Sequence, residues 1–166
     1  VFDLPARYRG DFHADIQRQM KKRLRLAPVF TRKLAPMPLQ FANPVWVDED
    51  RIDWDYHVQS VTLPRPGTQA QLEDCIAQLH SELLDRSRPL WRLAVIEGLE
   101  SGQVGYYIQV HHAVLDGQAG VLLAQALFDV TPQPRKVPRD AGHLAEHPGL
   151  RELAAAALKH DAGQYI

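Results

Sequence analysis

Pro89-Leu90-Trp91-Arg92-Leu93-Ala94-Val95-Ile96-Glu97, then Val104-Gly105-Tyr106-Tyr107-Ile108-Gln109-Val110 beyond the turn at Gly98–Gly102, is the stretch that decides the fold. In the first half Trp91, Leu93 and Val95 alternate with Arg92 and Ala94. In the second, Val104, Tyr106, Ile108 and Val110 alternate with Tyr107 and Gln109. Period-two alternation of β-branched and aromatic residues on both sides of a short glycine-bounded turn predicts two strands joined as a hairpin. Asp116-Gly117 and the apolar run Ala119–Phe128 follow, which reads as a turn into a buried helix.

Upstream of the hairpin, Trp54–Leu63 is rich in β-branched and aromatic residues and reads as another strand, ended by Pro64-Arg65-Pro66-Gly67. Thr68 then opens a helix with Leu72, Ile76, Leu79 and Leu83 on one stripe. Cys75 lies beside that stripe and reads as a packed structural thiol, not a nucleophile, with His80 at the stripe's edge. Asp11 is placed to cap a first helix whose apolar positions are Phe12, Ile16, Met20 and Leu24. Pro28, Pro36, Pro38 and Pro44 forbid a long helix in between. Residues 1–130 therefore read as one domain of helix, strand, helix, strand, strand, helix: an α/β fold of mixed layers, with a mixed sheet and flanking helices. Thr131–Asp140, with three prolines and no periodicity, reads as a linker, and Leu150–Leu158 as an alanine-rich helix, so that 131–166 form a linker and the start of a helical segment.

Composition narrows the function. The chain has 166 residues, 45% apolar and 23% charged, with 19 Lys+Arg against 20 Asp+Glu. A net charge of −1 argues against a strongly basic nucleic-acid binder. No apolar run is long enough to span a bilayer, and the first residues lack the pattern of a signal peptide. One cysteine makes neither an internal disulfide nor a Cys-based zinc site, which points to a reducing, cytoplasmic compartment. The balance hides an asymmetry. Arg7 to Lys33 holds nine basic residues and two acidic ones, whereas Asp48 to Asp55 holds five acids and one Arg. Two readings follow: a solvated helix face beside an acidic turn, or a surface for anionic lipid or a phosphorylated substrate.

The chemistry-bearing stretch is His111-His112-Ala113-Val114-Leu115-Asp116-Gly117, at the end of the last strand. At this composition H-H-x-x-x-D-G arises by chance in roughly 0.2% of such chains, so it carries information. If the strand extends this far, its periodicity puts His112 on the apolar face and His111 on the other, which leaves one working base. Imidazole accepts and returns protons near neutral pH, and a hydroxyl attacks an acyl carbonyl well only when something takes its proton. Asp116 either orients the histidine or shapes the loop through an ion pair. Gly117 allows close backbone approach, with its N–H near a helix start where donors stabilise an oxyanion. Other readings compete. Two histidines and an aspartate are metal ligands elsewhere, but histidines on opposite faces do not easily reach one ion, and no metal is expected. A structural pair without chemistry is a further alternative. A Ser/His/Asp hydrolase lacks its G-x-S-x-G elbow. His111 and Asp116 also fit H-x-x-x-x-D, the signature of glycerolipid acyltransferases, without the phosphate-binding segment of that group.

The motif on a strand-to-helix turn resembles the chloramphenicol-acetyltransferase-like superfamily of coenzyme A-dependent acyltransferases, which includes peptide-synthetase condensation domains. Pro44-Val45-Trp46-Val47, Ile52-Asp53-Trp54-Asp55-Tyr56-His57-Val58 and Pro89-Leu90-Trp91 are similar to segments of the bacterial wax ester synthase/diacylglycerol acyltransferase family, in the same order. The resemblance implies a chloramphenicol-acetyltransferase-like half-domain corresponding to the N-terminal half of such an enzyme. It implies an O-acyl transfer from long-chain acyl-coenzyme A to a fatty alcohol or diacylglycerol, giving wax esters or triacylglycerol. His112 would be the general base, with His111, Asp116 and Gly117 shaping the site and Pro89-Leu90-Trp91 serving as scaffold. Acyl-coenzyme A would be a co-substrate, with no resident cofactor and no nucleic acid. The partners implied are a C-terminal half that closes the substrate tunnel, and a membrane or lipid-inclusion surface. A condensation-type domain acting on carrier-protein thioesters, or a catalytically silent binding half-domain, is the alternative.

Overall fold

The computed structural model describes residues 1–35 and 44–114, with single positions 124, 128, 129, 135 and 136 further on. Helix α1 (Phe12–Arg23) starts where the sequence predicts, at Asp11, whose carboxylate accepts the Ala14 N–H at 2.9 Å. Two 3-10 turns, Leu24–Leu26 and Pro28–Thr31, carry the chain on into strand β1 (Arg32–Ala35). Strand β2 (Val45–Asp48) returns antiparallel to β1, with Arg32 opposite Asp48 and Ala35 opposite Val45.

A one-turn helix α2 (Trp54–His57) leads into β3 (Val58–Thr62), then α3 (Gln69–Ser81), β4 (Trp91–Glu97) and β5 (Gly105–Val110). The three strands form one sheet in the order β3-β4-β5, β3 parallel to β4 and β4 antiparallel to β5. The sheet is mixed, and the hairpin predicted from the alternation is β4-β5. The α3 crossover makes the parallel connection that a β-α-β unit requires. At the outer edge of β5, Phe2 and Val104 exchange both backbone hydrogen bonds, at 3.0 and 3.1 Å.

Central strand β4 is buried from Trp91 through Ile96. Its alternate side chains serve two cores. Trp91, Leu93 and Val95 pack with Met20, Leu24, Ala27, Phe30 and Val58 on the α1 side. Ala94 and Ile96 pack with Leu63, Leu72 and Leu79 on the α3 side. Arg92, on the same side, is also buried. Its guanidinium is neutralised by Glu82 at 2.7 Å and donates to the Leu79 carbonyl and Gln109. A charged residue in the middle strand is tolerated because each of these acceptors meets it.

Two expectations need correction. Trp54–Leu63 is not a single strand: Asp53 caps a helical turn by accepting the Tyr56 N–H, and β structure begins at Val58. Leu83 is not on the α3 stripe, because the helix stops at Ser81 and Leu83 is 95% exposed. The described part of the proline-rich region holds no long helix, as expected, and the antiparallel pair β1-β2 brackets it. That strand pair also explains part of the charge asymmetry, since Arg32 pairs with Asp48 at 3.0 Å and Lys33 with Glu49. Among the described residues no helix is long and apolar enough to cross a membrane.

Candidate functional site

The site sits where β5 runs out. Strand pairing ends at Val110, opposite Trp91. One more backbone bond, from the His111 N–H to the Leu90 carbonyl at 3.0 Å, anchors the next residue. The chain then folds into a 3-10 turn, His112–Val114, with Val114 buried beneath it and its N–H bonded to the His111 carbonyl at 2.9 Å.

The strand does not extend as far as the two histidines, so the placement on opposite strand faces that depended on such an extension does not apply. The turn separates them differently. His111 is half-buried and turned back on its own loop: its Nδ1 accepts the Ala113 N–H at 3.1 Å. A ring nitrogen that accepts from an amide carries no proton, so neutral His111 holds its proton on Nε2. It acts as a cap for the turn. His112 is exposed, and among the described residues its imidazole has no hydrogen-bond partner. Asp116 and Gly117 lie outside the described residues, as do most of the helix expected over Ala119–Phe128, the linker apart from Arg135 and Lys136, and Leu150–Leu158.

Upstream of the turn, Leu90 and Trp91 are fully enclosed, and the Trp91 indole N–H donates to the Phe30 carbonyl at 2.8 Å. Pro89-Leu90-Trp91 is scaffold, as expected from the sequence. Downstream, Phe128 takes up a helical bond from its N–H to the Ala124 carbonyl at 2.8 Å and packs edge-on against Tyr106. Next to it Asp129 pairs with the buried Arg23 of α1 and with Arg135, and the Arg23 guanidinium in particular holds its carboxyl below the usual carboxylate range. Tyr106 itself lies among Phe2, Phe12 and Phe128, where burial pushes its phenol up. It is a packing residue of the α1-side core.

One residue that periodicity and motif spacing left unremarked is His57. It is completely buried, its Nδ1 lies 2.8 Å from the Trp91 carbonyl, and burial holds its pKa below the ordinary histidine value. Its stretch, Asp53-Trp54-Asp55-Tyr56-His57, reads only as part of an expected strand and of a family-like segment, neither of which says how deep the ring lies. Cys75 packs against the α3-side core, where burial pushes the thiol up, as suits a structural thiol. Tyr107 and His80 share a surface hydrogen bond of 2.9 Å on the far side of β5. No three His, Cys, Asp or Glu side chains among the described residues converge as a metal would require.

Over residues 1–164 the chain matches the wax ester synthase/diacylglycerol acyltransferase catalytic domain. A probable diacylglycerol O-acyltransferase of Mycobacterium tuberculosis is 34% identical over 139 residues, which are 84% of this chain and 51% of the relative. A putative diacylglycerol O-acyltransferase of Mycobacterium bovis is 33% identical over 162 residues, 98% of this chain and 36% of the relative. Among solved structures, the wax ester synthase/diacylglycerol acyltransferase from Marinobacter aquaeolei VT8 superposes with a TM-score of 0.62 at 29% identity, over 84% of this chain and 33% of its own. The chain therefore spans about half the length of the first of these proteins and about a third of the other two.

Proposed function

Because the chain belongs to the wax ester synthase/diacylglycerol acyltransferase family, we propose that it carries the general base of an O-acyl transfer from long-chain acyl-coenzyme A to a fatty alcohol or diacylglycerol. His112 takes the hydroxyl proton as the alcohol oxygen forms its bond to the thioester carbonyl carbon. The tetrahedral intermediate collapses with breakage of the carbon–sulfur bond, and the imidazolium returns its proton to the departing coenzyme A thiolate. The observation that supports this is the division of labour between the two histidines. His111 spends Nδ1 on the Ala113 N–H, whereas His112 is exposed at the strand end with its ring unengaged among the described residues. A base must reach substrate, and of the two His112 is the one free to do so among the described residues.

Asp116 and Gly117 complete the proposal: Asp116 shapes the loop or orients the base, and Gly117 offers its N–H to the developing oxyanion. Acyl-coenzyme A serves as co-substrate, and no resident cofactor is required. Further chain, matching the part of the relatives not covered here, would close the acyl and alcohol tunnel as the partner half. The exposed basic residues of α1, Lys21 and Lys22 among them, suit a peripheral position on anionic lipid. The test is palmitoyl-coenzyme A with hexadecanol or a diacylglycerol, assayed with and without that second half. His112→Ala should lower turnover at least about 10²-fold while the melting temperature holds. Near-normal turnover in that variant would end the assignment.

A further inference from the structure

His57 holds the one buried side-chain nitrogen or oxygen without a partner among the described residues, its Nε2. The ring has no exposed surface, lies 4.4 Å from the Trp91 indole at 30°, and meets Tyr56 edge-on at 5.0 Å. Its other nitrogen, Nδ1, is 2.8 Å from the Trp91 carbonyl. A carbonyl only accepts, so Nδ1 carries the proton and Nε2 is left as a bare lone pair. Leucine or phenylalanine would fill the position without that buried acceptor. What histidine adds is the Nδ1–H donor.

The position of the carbonyl shows why a donor is needed. Successive carbonyls of an extended strand point to opposite sides. The Leu90 carbonyl takes the His111 N–H and so faces β5; the Trp91 carbonyl faces the β3 side. There the ladder starts only at Leu93, opposite Val58. Without His57 the Trp91 carbonyl would be an orphan acceptor in the core, next to the residue that anchors His111. The short helix carrying His57 is in turn fastened to the chain leading into β4. Asp53 pairs with Arg88, Arg88 lies 4.5 Å over the Tyr56 ring, and the Asp85 N–H donates to the Tyr56 hydroxyl at 3.0 Å.

We propose that His57 is a positioning residue for the His111–His112 turn: its Nδ1–H supplies the missing rung at Trp91, which fixes Leu90 and, through it, the backbone that presents His112. The effect on rate rests on His112 being the base; the effect on the His111 backbone does not.

Two variants separate the donor from the fold. His57→Asn keeps an N–H near the place of Nδ1 and deletes Nε2, whereas His57→Leu keeps neither. In the full chain, the His111 amide should exchange about tenfold faster in His57→Leu and within about twofold of wild type in His57→Asn, with the amides further along β5 unchanged. Turnover should follow the same split, in kcat and not in KM. Acceleration spread along all of β5, or two variants that behave alike, would overturn the proposal. So would imidazole nitrogen spectra of the wild-type protein showing His57 protonated on Nε2. Should His57→Leu fail to fold, those spectra and the Asn variant still decide, since a faster His111 amide in His57→Asn counts against the idea. If His112→Ala retains turnover while the exchange split is seen, the base assignment falls and the positioning role stands. If His112→Ala abolishes turnover without any split, the reverse holds.

Discussion

The two ends of β4 are secured by different means. At its start, the end that faces the candidate site, side chains add to the backbone bond between His111 and Leu90. The Trp91 indole donates to Phe30, His57 donates to the Trp91 carbonyl, and Phe30 and Trp54 both pack edge-on against the Trp91 ring. At its far end the backbone does the holding. The Leu63 N–H donates to the Glu97 carbonyl at 2.9 Å and the Glu100 N–H to the Gly67 carbonyl at 2.9 Å, with Gly67 and Gly98 both at positive φ where the two loops touch. The difference has a chemical consequence. The far end is fastened by backbone groups that do not titrate, whereas the site end contains a buried imidazole and so responds to pH and to side-chain chemistry.

Substitutions at the two ends should therefore have separable effects. The largest is expected for Trp91→Ala, which removes a fully buried indole and the bond to Phe30. A loss of about 3–5 kcal/mol in denaturant unfolding is expected, with the His111 anchor at Leu90 disturbed as well. A loss below 1 kcal/mol by that measurement would show that the site end is not organised around this ring. Gly67→Ala comes next. A methyl there would lie 1.9 Å from the Gly98 carbonyl oxygen, on a backbone at φ +80°. Strain of this kind costs about 1–3 kcal/mol, and the loops must also move apart. Amide exchange should speed up around Leu63 and Glu100 and stay unchanged at His111. Equal acceleration at both ends would mean that β4 transmits the disturbance and that its two ends are not secured independently.

Much of the far end was legible in the sequence, because glycine and proline announce it. Pro64-Arg65-Pro66-Gly67 and Gly98–Gly102 mark turns by chemistry that operates locally. The helix caps at Asp11 and Thr68 were legible for the same reason: Thr68 and Gln71 form a reciprocal capping box within four residues. The site end was only half legible. His111-His112 declared itself as a motif, and the strand end at Val110 was legible, but alternation contains no signal for how the chain turns once pairing stops. The His111 ring caps the turn that follows, a contact within three residues that pattern reading does not weigh. His57 was less visible still. Its role depends on a carbonyl 34 residues away and on β3 beginning late, both of which are matters of tertiary register. The β1-β2 hairpin escaped for a related reason. Charge runs read as blocks hide the cross-strand pairs Arg32–Asp48 and Lys33–Glu49 that only the register reveals.

The smallest effect expected is in the pH dependence of stability. Burial is the main cause that holds the His57 imidazole below its ordinary value. Arg88 acts in the same direction, while the Trp91 carbonyl, Asp53 and Glu49 oppose it. In the unfolded chain the same ring takes up a proton near pH 6.5. Between the two values the unfolded state binds more protons than the native state, so stability rises with pH across that interval. The contribution is complete above about pH 6.5 and is lost progressively as pH falls toward the folded-state value. Asp53, Asp85 and Asp129 have carboxyls held low by their hydrogen bonds, so their losses belong to the acid range, below about pH 4. Denaturant unfolding followed from pH 7.5 to 5 should thus show falling stability in the wild type and a shallower fall in His57→Asn. Hydrogen exchange over the same range should loosen the His111 amide before those near Glu100. A wild-type profile with the same slope as the Asn variant would remove His57 as the pH-sensitive element of the site end. Loosening that begins at Glu100 would reverse the assignment of the two ends.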